Sequence, residues 1–402
     1  MSGAELGRAG VGEWDGVIER LRAERRGLVG SWMKERGLDH LLLQSHDDIR
    51  YVTDFRSLMA WETFDHVICI VDGDGQFDVY ASHINTASAS PDPTLPAMRS
   101  LRPIAGWTPL MVEPLRAISV VAAGLQGAKS VGYDALHPEL LRGLREALPD
   151  VDFHYVGGDL FGLRRGKLPE EITLMTLAAH DNLAAVDAAI ASAREGSRDR
   201  DVLAQALAVQ QSSRAETITH FTCLVDPVRG GWFAIGAPLR AGQSFFLDQV
   251  YNGLGGYGSD ITRTAFLGEP PTVVKAAYAK LIDIYQVVRD QARPGVSVAK
   301  LDALLNDGLR KSGLAPSPYG LGHGIGIRIM EPPSLSGSEL LDSDVTLRVG
   351  DTIALEPETA IEVGGRTYPL KVEDCHHVTA DGLVPLGVPA PEQALVIESV
   401  SA

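Results

Sequence analysis

Cysteine is scarce in this sequence, and long apolar segments are absent from it. The three cysteines, Cys69, Cys223 and Cys375, are too few for a disulfide framework among 402 residues. Such usage is typical of a reducing compartment and predicts a cytoplasmic protein. No charged segment precedes a long apolar run at the N-terminus, and no stretch has the length of a membrane span. We therefore expect neither a signal peptide nor a membrane as partner.

Positive charge is also in the minority. Lys and Arg number 36 against 52 Asp and Glu, which gives a formal net charge of −16. This excess of acids disfavours nucleic acid and anionic membranes as partners, because both would repel the chain. The sequence contains no phosphate-binding glycine loop and no dinucleotide fingerprint. This composition agrees with an ordinary soluble enzyme.

The chain is longer than one typical core requires, so we expect two domains. In the first part, apolar strand-like runs alternate with helical patterns, which is typical of an α/β domain. Residues 86–103 hold several Ser and Pro residues and are predicted to form a loop. A long helix beginning after Pro169 opens the second part. The predicted domains are residues 1–165 and 166–402.

Five residues in the second part have the pattern of a metal site. Each lies in an apolar strand-like run or a glycine-rich segment: Asp248, Asp260, His323, Glu356 and Glu373. A carboxylate placed inside an apolar strand needs a partner that offsets its burial, and a metal ion supplies one. Four carboxylates and one imidazole suit divalent ions such as manganese, iron or cobalt. Two such ions held close together can activate a water molecule at neutral pH.

The local sequence predicts how these residues meet. Asp248 lies in a short apolar run, a glycine-rich turn follows, and Asp260 lies in a run of β-branched residues, so a hairpin would put both side by side. Glycines around His323 let the backbone come close to a ligand. Two amphipathic helices, at about residues 273–292 and after Ser297, separate this hairpin from the strands of the two glutamates.

In these segments the chain resembles the creatinase, aminopeptidase P, prolidase and methionine aminopeptidase group, whose metal-binding members use Asp, Asp, His, Glu and Glu in this order. The matching segments are Phe246-Leu247-Asp248, Ser259-Asp260-Ile261-Thr262-Arg263-Thr264, Gly322-His323-Gly324-Ile325-Gly326, Leu355-Glu356-Pro357 and Val372-Glu373-Asp374. Residues 48–55 and 167–172 resemble the same group. The resemblance implies an α+β pita-bread catalytic domain, preceded by an α/β creatinase-type N-terminal domain.

The resemblance also implies cofactors and roles. It implies two divalent ions, with manganese or iron favoured over cobalt or zinc, bridged by Glu373 and Asp260. Glu356 would be the general base or proton shuttle. Further candidates for catalysis are Tyr319 and His220. Since related two-domain members share active sites across an interface, a homodimer is expected.

The chain departs from the family at the substrate-binding positions. Family peptidases carry histidines, which bind substrate and the tetrahedral intermediate, where this chain has Met330 and the region around Trp232. Lys371 stands where the family usually has an arginine. We therefore expect a retained metal site beside an altered substrate pocket, with Trp232, Met330 and Arg263 as candidate substrate-binding residues.

The expected function is metal-dependent hydrolysis of a C–N bond in a small molecule or modified peptide. Without the two histidines, cleavage of X-Pro peptides is expected to be weak. Three alternatives remain open: a metal-dependent lyase on the same scaffold, an Xaa-Pro peptidase, and a non-catalytic binding protein with a vestigial site. The retention of all five ligands disfavours the last.

Overall fold

The protein was analysed as a computed structural model, which describes residues 12, 14–56, 67–82, 95–107, 113–216, 221–225, 233–335 and 345–398. The chain separates into two compact units. One comprises Gly12–Leu163 and the other contains Arg164–Ala402. The boundary after residue 165, proposed from the sequence, remains a proposal. None of the helices in the described ranges combines the length and apolar character needed to cross a bilayer.

The N-terminal unit contains six strands and the helices that cover them. The strands are β1 (His40–Leu43), β2 (Val67–Asp72), β3 (Phe77–Ala81), β4 (Met98–Pro103), β5 (Ser130–Tyr133) and β6 (Asp152–Tyr155). The helices are α1 (Asp15–Glu35), α2 (His46–Thr53), α3 (Pro114–Gly124), α4 (Pro138–Ala147) and α5 (Gly157–Arg165), whose last residues belong to the second unit.

These strands form one mixed sheet in the order β4-β3-β2-β1-β5-β6. Strands β1, β2 and β3 pair antiparallel, whereas β5 pairs parallel with both β1 and β6. The apolar runs predicted to be strands supply the core, in which Leu42, Ile68 and Ile70 pack against Ala117 and Val121 of α3. The α/β character expected of this unit is therefore present.

One local prediction for this unit was wrong. The end of the segment predicted as a loop, residues 86–103, forms strand β4, which pairs in parallel with β3. Its Arg, Ser and Pro residues are typical of a loop, but β4 lies at the edge of the sheet. An edge strand leaves one row of backbone groups unpaired, so Pro103 is tolerated there. The rest of the predicted loop falls largely outside the described residues.

The second unit holds the remaining elements. Its helices are α6 (Pro169–Ser192), α7 (Asp199–Gln211), α8 (Thr272–Gln291) and α9 (Val298–Lys311). Its strands are β7 (Phe221–Leu224), β8 (Gln243–Asn252), β9 (Gly258–Leu267), β10 (Gly322–Gly324), β11 (Glu331–Ser334), β12 (Thr352–Leu355), β13 (Glu358–Val363), β14 (Arg366–Lys371), β15 (Asp374–Thr379), β16 (Gly382–Pro385) and β17 (Leu395–Ile397).

Three sheets of this unit carry the candidate ligands. Their strand orders are β17-β9-β8-β7, β11-β10-β12-β15-β16 and β13-β14. The predicted helix at residues 273–292 is α8, and its apolar stripe packs with that of α9 into a core shared with β12 and β14. Tyr278, Leu281, Leu305, Ile353 and Leu370 belong to this core. Helices α8 and α9 therefore support β12 and β14, the strands that precede Glu356 and Glu373.

Candidate metal centre

The two aspartates lie on a β-hairpin, as the sequence predicts. In the β8–β9 register, Asp248 is opposite Thr262 and Asp260 is opposite Val250. Residues opposite one another, and residues two apart on one strand, share a face of the sheet. Asp248 and Asp260 therefore lie diagonally on the same face. Both strands are buried along their whole length, so the two carboxylates are withdrawn from water.

His323 lies in β10, between β11 and β12. The preceding residue, Gly322, has a φ of 141°, and a Cβ there would lie 2.1 Å from the carbonyl oxygen of Ala354. Only glycine permits this close approach of the backbones. The Nδ1 atom of His323 lies 3.0 Å from the carbonyl oxygen of Gly324. Because a carbonyl only accepts, Nδ1 carries the proton and Nε2 keeps its lone pair for a cation.

The two glutamates come directly after or shortly after strands β12 and β14, respectively. Glu356 comes directly after β12, and its N–H donates to the carbonyl of Leu321 (2.9 Å). Glu373 lies between β14 and β15 and forms an isolated bridge with Thr262 of β9. The hydroxyl of Thr262 donates to Oε2 of Glu373 (2.7 Å). The side chain of Glu373 is therefore oriented by a residue on the aspartate hairpin.

Several candidate ligand atoms converge on one point. Nε2 of His323 is 3.7 Å from Oδ2 of Asp260 and 3.4 Å from Oε1 of Glu356. Ligand atoms of Asp260, His323 and Glu373 all lie within 4.8 Å of one another. Two ligands of one ion, each about 2.1 Å from it, lie roughly 3 to 3.5 Å apart. The spacing therefore fits a divalent ion after small side-chain movements.

Two buried oxygens at this point have no hydrogen-bond partner among the residues that the structure describes. They are Oδ1 of Asp260 and Oε1 of Glu373. Burial, together with the nearby carboxylates of Glu373 and Asp248, raises the pKa of Asp260 well above its usual range. Burial likewise raises the pKa of Glu373. Buried carboxylate oxygens without a hydrogen-bond partner lower the stability of the folded protein, and a bound cation would offset that loss.

Lys371 is a member of the centre whose importance the sequence does not reveal. It lies at the end of β14, and its Nζ is 2.6 Å from Oδ2 of Asp248 and 2.8 Å from Oε2 of Glu356. Burial by itself would lower the pKa of Lys371, but the carboxylates around it raise that pKa well above its ordinary value. In the sequence, Lys371 stands out only as a lysine two residues before Glu373, where the family usually has an arginine.

Two more residues contact the centre or lie beside it. The backbone N–H of Asp260 donates to Sγ of Cys375 (3.3 Å), whose S–H donates to the carbonyl of Asp260 (3.1 Å). The thiol therefore positions the backbone of a candidate ligand. Glu358 lies opposite Lys371 in the β13–β14 register, and burial raises its pKa to about 7. Nothing in the sequence distinguishes Glu358 from the other acidic residues.

The predicted catalytic and substrate-binding residues are placed very differently. Arg263 is buried, and its guanidinium donates to Asp374 (2.7 Å) and to three backbone carbonyls. These contacts favour a structural role over substrate binding. Tyr319 and Met330 are 47% and 68% exposed, in the segments that flank β10. His220 and Trp232 lie outside the described residues.

Comparison with known families agrees with this geometry. The model of metallopeptidase family M24 matches residues 173–380, more than half of the chain. The chain therefore belongs to metallopeptidase family M24. The creatinase/prolidase N-terminal domain matches residues 25–165. Membership makes the chain a metallohydrolase and implies divalent metal ions, and the buried donors described above fit such ions.

Individual relatives extend over most of the chain. The Xaa-Pro dipeptidase of Pyrococcus furiosus is 23% identical over 367 residues, 89% of this chain and 96% of that protein. The Xaa-Pro dipeptidase of Pyrococcus horikoshii is 26% identical over 279 residues, 67% of this chain and 76% of that protein. The X-Pro aminopeptidase structure from Thermotoga maritima has a TM-score of 0.76 at 18% identity, covering 92% of this chain and 99% of that one. The predicted α+β fold with a creatinase-type N-terminal domain is thereby confirmed.

Proposed function

We propose that this chain hydrolyses the C–N bond of an amide in a small peptide or peptide-like molecule. The observation that carries the proposal is the buried group of Asp260, His323 and Glu373, which holds two carboxylate oxygens without hydrogen-bond partners. Its membership of a metallopeptidase family and its dipeptidase relatives support the same reaction class. No observation favours the lyase or the vestigial binding protein.

The residues of the centre can have different roles in hydrolysis. A bound divalent ion supplies Lewis acidity, which polarises the carbonyl and lowers the pKa of water. Glu356 accepts the proton of the attacking water and returns it to the leaving nitrogen. Its side chain is 12% exposed, whereas that of Glu373 is fully buried, so Glu356 is the ligand that substrate and water can reach. Thr262 keeps Glu373 oriented, and the carbonyl of Gly324 keeps His323 oriented.

We propose manganese or iron as the metal, because the donors are three or four hard carboxylate oxygens and a single imidazole. Elemental analysis of protein purified without chelator checks this choice. A content well below half an equivalent of any transition metal after reloading would contradict it.

For the substrate, we propose a small peptide or amide other than X-Pro peptides. The resemblance predicts histidines where the chain has Met330 and the Trp232 region. Each oxyanion donor is worth about 3 kcal/mol in other hydrolases, or about 100-fold in rate. X-Pro turnover is therefore expected to be slow. Tyr319, as a proton donor, and Met330 are accessible enough to contact a substrate.

A mass-spectrometric screen tests the reaction. Metal-loaded protein is incubated with X-Pro dipeptides, other dipeptides and cyclic amides, and products are examined for the mass of added water. We expect such a product, lost in Glu356→Gln and retained in Glu362→Gln, an exposed glutamate of the neighbouring strand β13. No hydrolysis of any amide would contradict the function. Rapid X-Pro turnover that depends on Glu356 would instead contradict only the proposed specificity.

Two further proposals concern the whole chain. We propose a homodimer, on the grounds that related two-domain members share active sites between subunits, and a cytoplasmic location, on the grounds of the three free cysteines. Sedimentation at micromolar concentration checks the first. A species with only the mass of the monomer would contradict it.

A further inference from the structure

A lysine ammonium lies among the predicted metal ligands. Nζ of Lys371 is 2.6 Å from Oδ2 of Asp248, 2.8 Å from Oε2 of Glu356 and 3.2 Å from Oε2 of Glu373. The lysine side chain is only 2% exposed. Three of the four carboxylates expected to bind metal therefore each present an oxygen to the same positive charge.

A second ion bound through these three oxygens would have to take the place of the ammonium group. Divalent ions bind carboxylate oxygens at about 2.0 to 2.2 Å. An ion bound to the same oxygens of Asp248, Glu356 and Glu373 would lie in contact with the ammonium group. Two cations so close together, away from bulk water, repel one another strongly. The ammonium and a second ion therefore exclude each other.

Other oxygens of the candidate ligands remain available to a cation. Oδ1 of Asp260 and Oε1 of Glu373 have no hydrogen-bond partner, and Oε1 of Glu356 is 3.4 Å from Nε2 of His323. The donors thus divide into two sets. One set surrounds the ammonium of Lys371, and the other set is open to a cation.

Lys371 is also held in place by its backbone. Its N–H donates to Oγ1 of Thr264 (2.9 Å), and the hydroxyl of Thr264 donates to its carbonyl (2.6 Å). With the main chain fixed and the side chain buried, the ammonium is held away from solvent. The arginine usual at this place is a longer, planar group that can reach a carboxylate from farther away, whereas lysine is a compact point charge.

We propose that Lys371 fills the second cation position, so that the centre holds a single divalent ion bound by Asp260, His323, Glu356 and Glu373. Asp248 then serves as the counter-ion of Lys371. The inference rests on the metal-dependent function proposed above, and it replaces the expected pair of ions by one ion and one ammonium group.

The test determines how many ions the protein binds and whether bound ions are magnetically coupled to each other. Protein is saturated with Mn²⁺, freed of excess metal and analysed by elemental analysis and by electron paramagnetic resonance. We expect one equivalent with the spectrum of an isolated ion in the native chain. In Lys371→Met, which removes the charge at similar length, we expect a second equivalent and an exchange-coupled spectrum. Two coupled ions in the native chain, or a single ion retained in Lys371→Met, would overturn the proposal.

Lys167→Met is the matched control, since Lys167 is equally buried and pairs with Glu331 (2.9 Å) away from the ligands. It is expected to bind one ion. If Lys371→Met does not fold, the number of ions bound by the native chain and their spectrum still test the proposal. Peptide turnover is measured separately, so a chain that binds one ion and hydrolyses nothing would contradict the proposed function but not the ion count.

Discussion

Removal of the hydroxyl of Thr262 is expected to weaken metal binding while leaving the fold in place. In Thr262→Val the hydrogen bond to Oε2 of Glu373 (2.7 Å) is lost, and the β-branched shape suited to strand β9 is kept. Both residues are completely buried, so no water replaces the hydroxyl. The backbone bridge between Thr262 and Glu373 does not depend on the side chain and should persist.

The magnitude follows from the charge of the acceptor. A hydrogen bond to a charged group contributes about 1.5 to 3 kcal/mol. At 1.4 kcal/mol per factor of ten, this corresponds to a dissociation constant for the metal that is about 10- to 100-fold larger. The same range applies to residues that orient metal ligands in other proteins. The effect on the free energy of unfolding of metal-free protein should be smaller, about 1 kcal/mol.

Competition with a chelator of known affinity measures the dissociation constant for Mn²⁺, and urea unfolding measures stability. Thr359→Val is the matched control, because the buried hydroxyl of Thr359 donates to the carbonyl of Ala315 (3.0 Å) and contacts no ligand. It should lower stability and leave metal affinity unchanged. A folded Thr262→Val protein that binds Mn²⁺ as tightly as the native chain would refute the reasoning.

Two further predictions concern stability. Gly322→Ala should destabilise the second unit by more than about 2 kcal/mol, because its Cβ would meet the carbonyl of Ala354. Urea unfolding measures this loss. The control Gly27→Ala, which has open space around its Cβ, should show no such loss. Burial lowers the pKa of His376 from 6.5 to about 4. Between these two pH values the unfolded chain binds more protons than the folded chain. The free energy of unfolding therefore falls as the pH drops from 6.5 to about 4, by at most about 3 kcal/mol. Urea unfolding of metal-free His376→Gln at pH 7 and pH 4.5 should show a smaller decrease than the native chain, and an equal decrease would contradict the assignment.

The sequence predicts much of the second unit because its signals are local. Asp248 and Asp260 stand in apolar runs on either side of a glycine-rich turn, and such a pattern specifies a hairpin without knowledge of the rest of the chain. The stripe of α8 likewise predicts which face of the helix is buried. In the N-terminal unit, β4 was missed because an edge strand has weak apolar patterning and depends on pairing with β3.

The sequence does not predict what the side chains of Lys371 and Cys375 contact. Whether a lysine reaches one carboxylate or three depends on distances between strands that are far apart in the chain, and no spacing encodes them. The sequence pattern around Arg263 does not show whether its side chain faces a pocket or is held inside the protein. In the structure, its guanidinium donates to Asp374 and to backbone carbonyls. These properties arise from packing among β9, β14 and β15.

The candidate ligands of this centre come from segments that are distant in sequence, since Asp260 lies on the β8–β9 hairpin and Glu373 between β14 and β15. An incompletely folded chain cannot offer these donors together, so capture of the ion marks the completion of folding. The ion also shifts the folding equilibrium by mass action, by about 2.7 kcal/mol when free metal is at 100 times its dissociation constant. The lifetime of this protein in a cell should therefore follow the supply of its metal, and starvation for that metal should expose the chain to proteolysis.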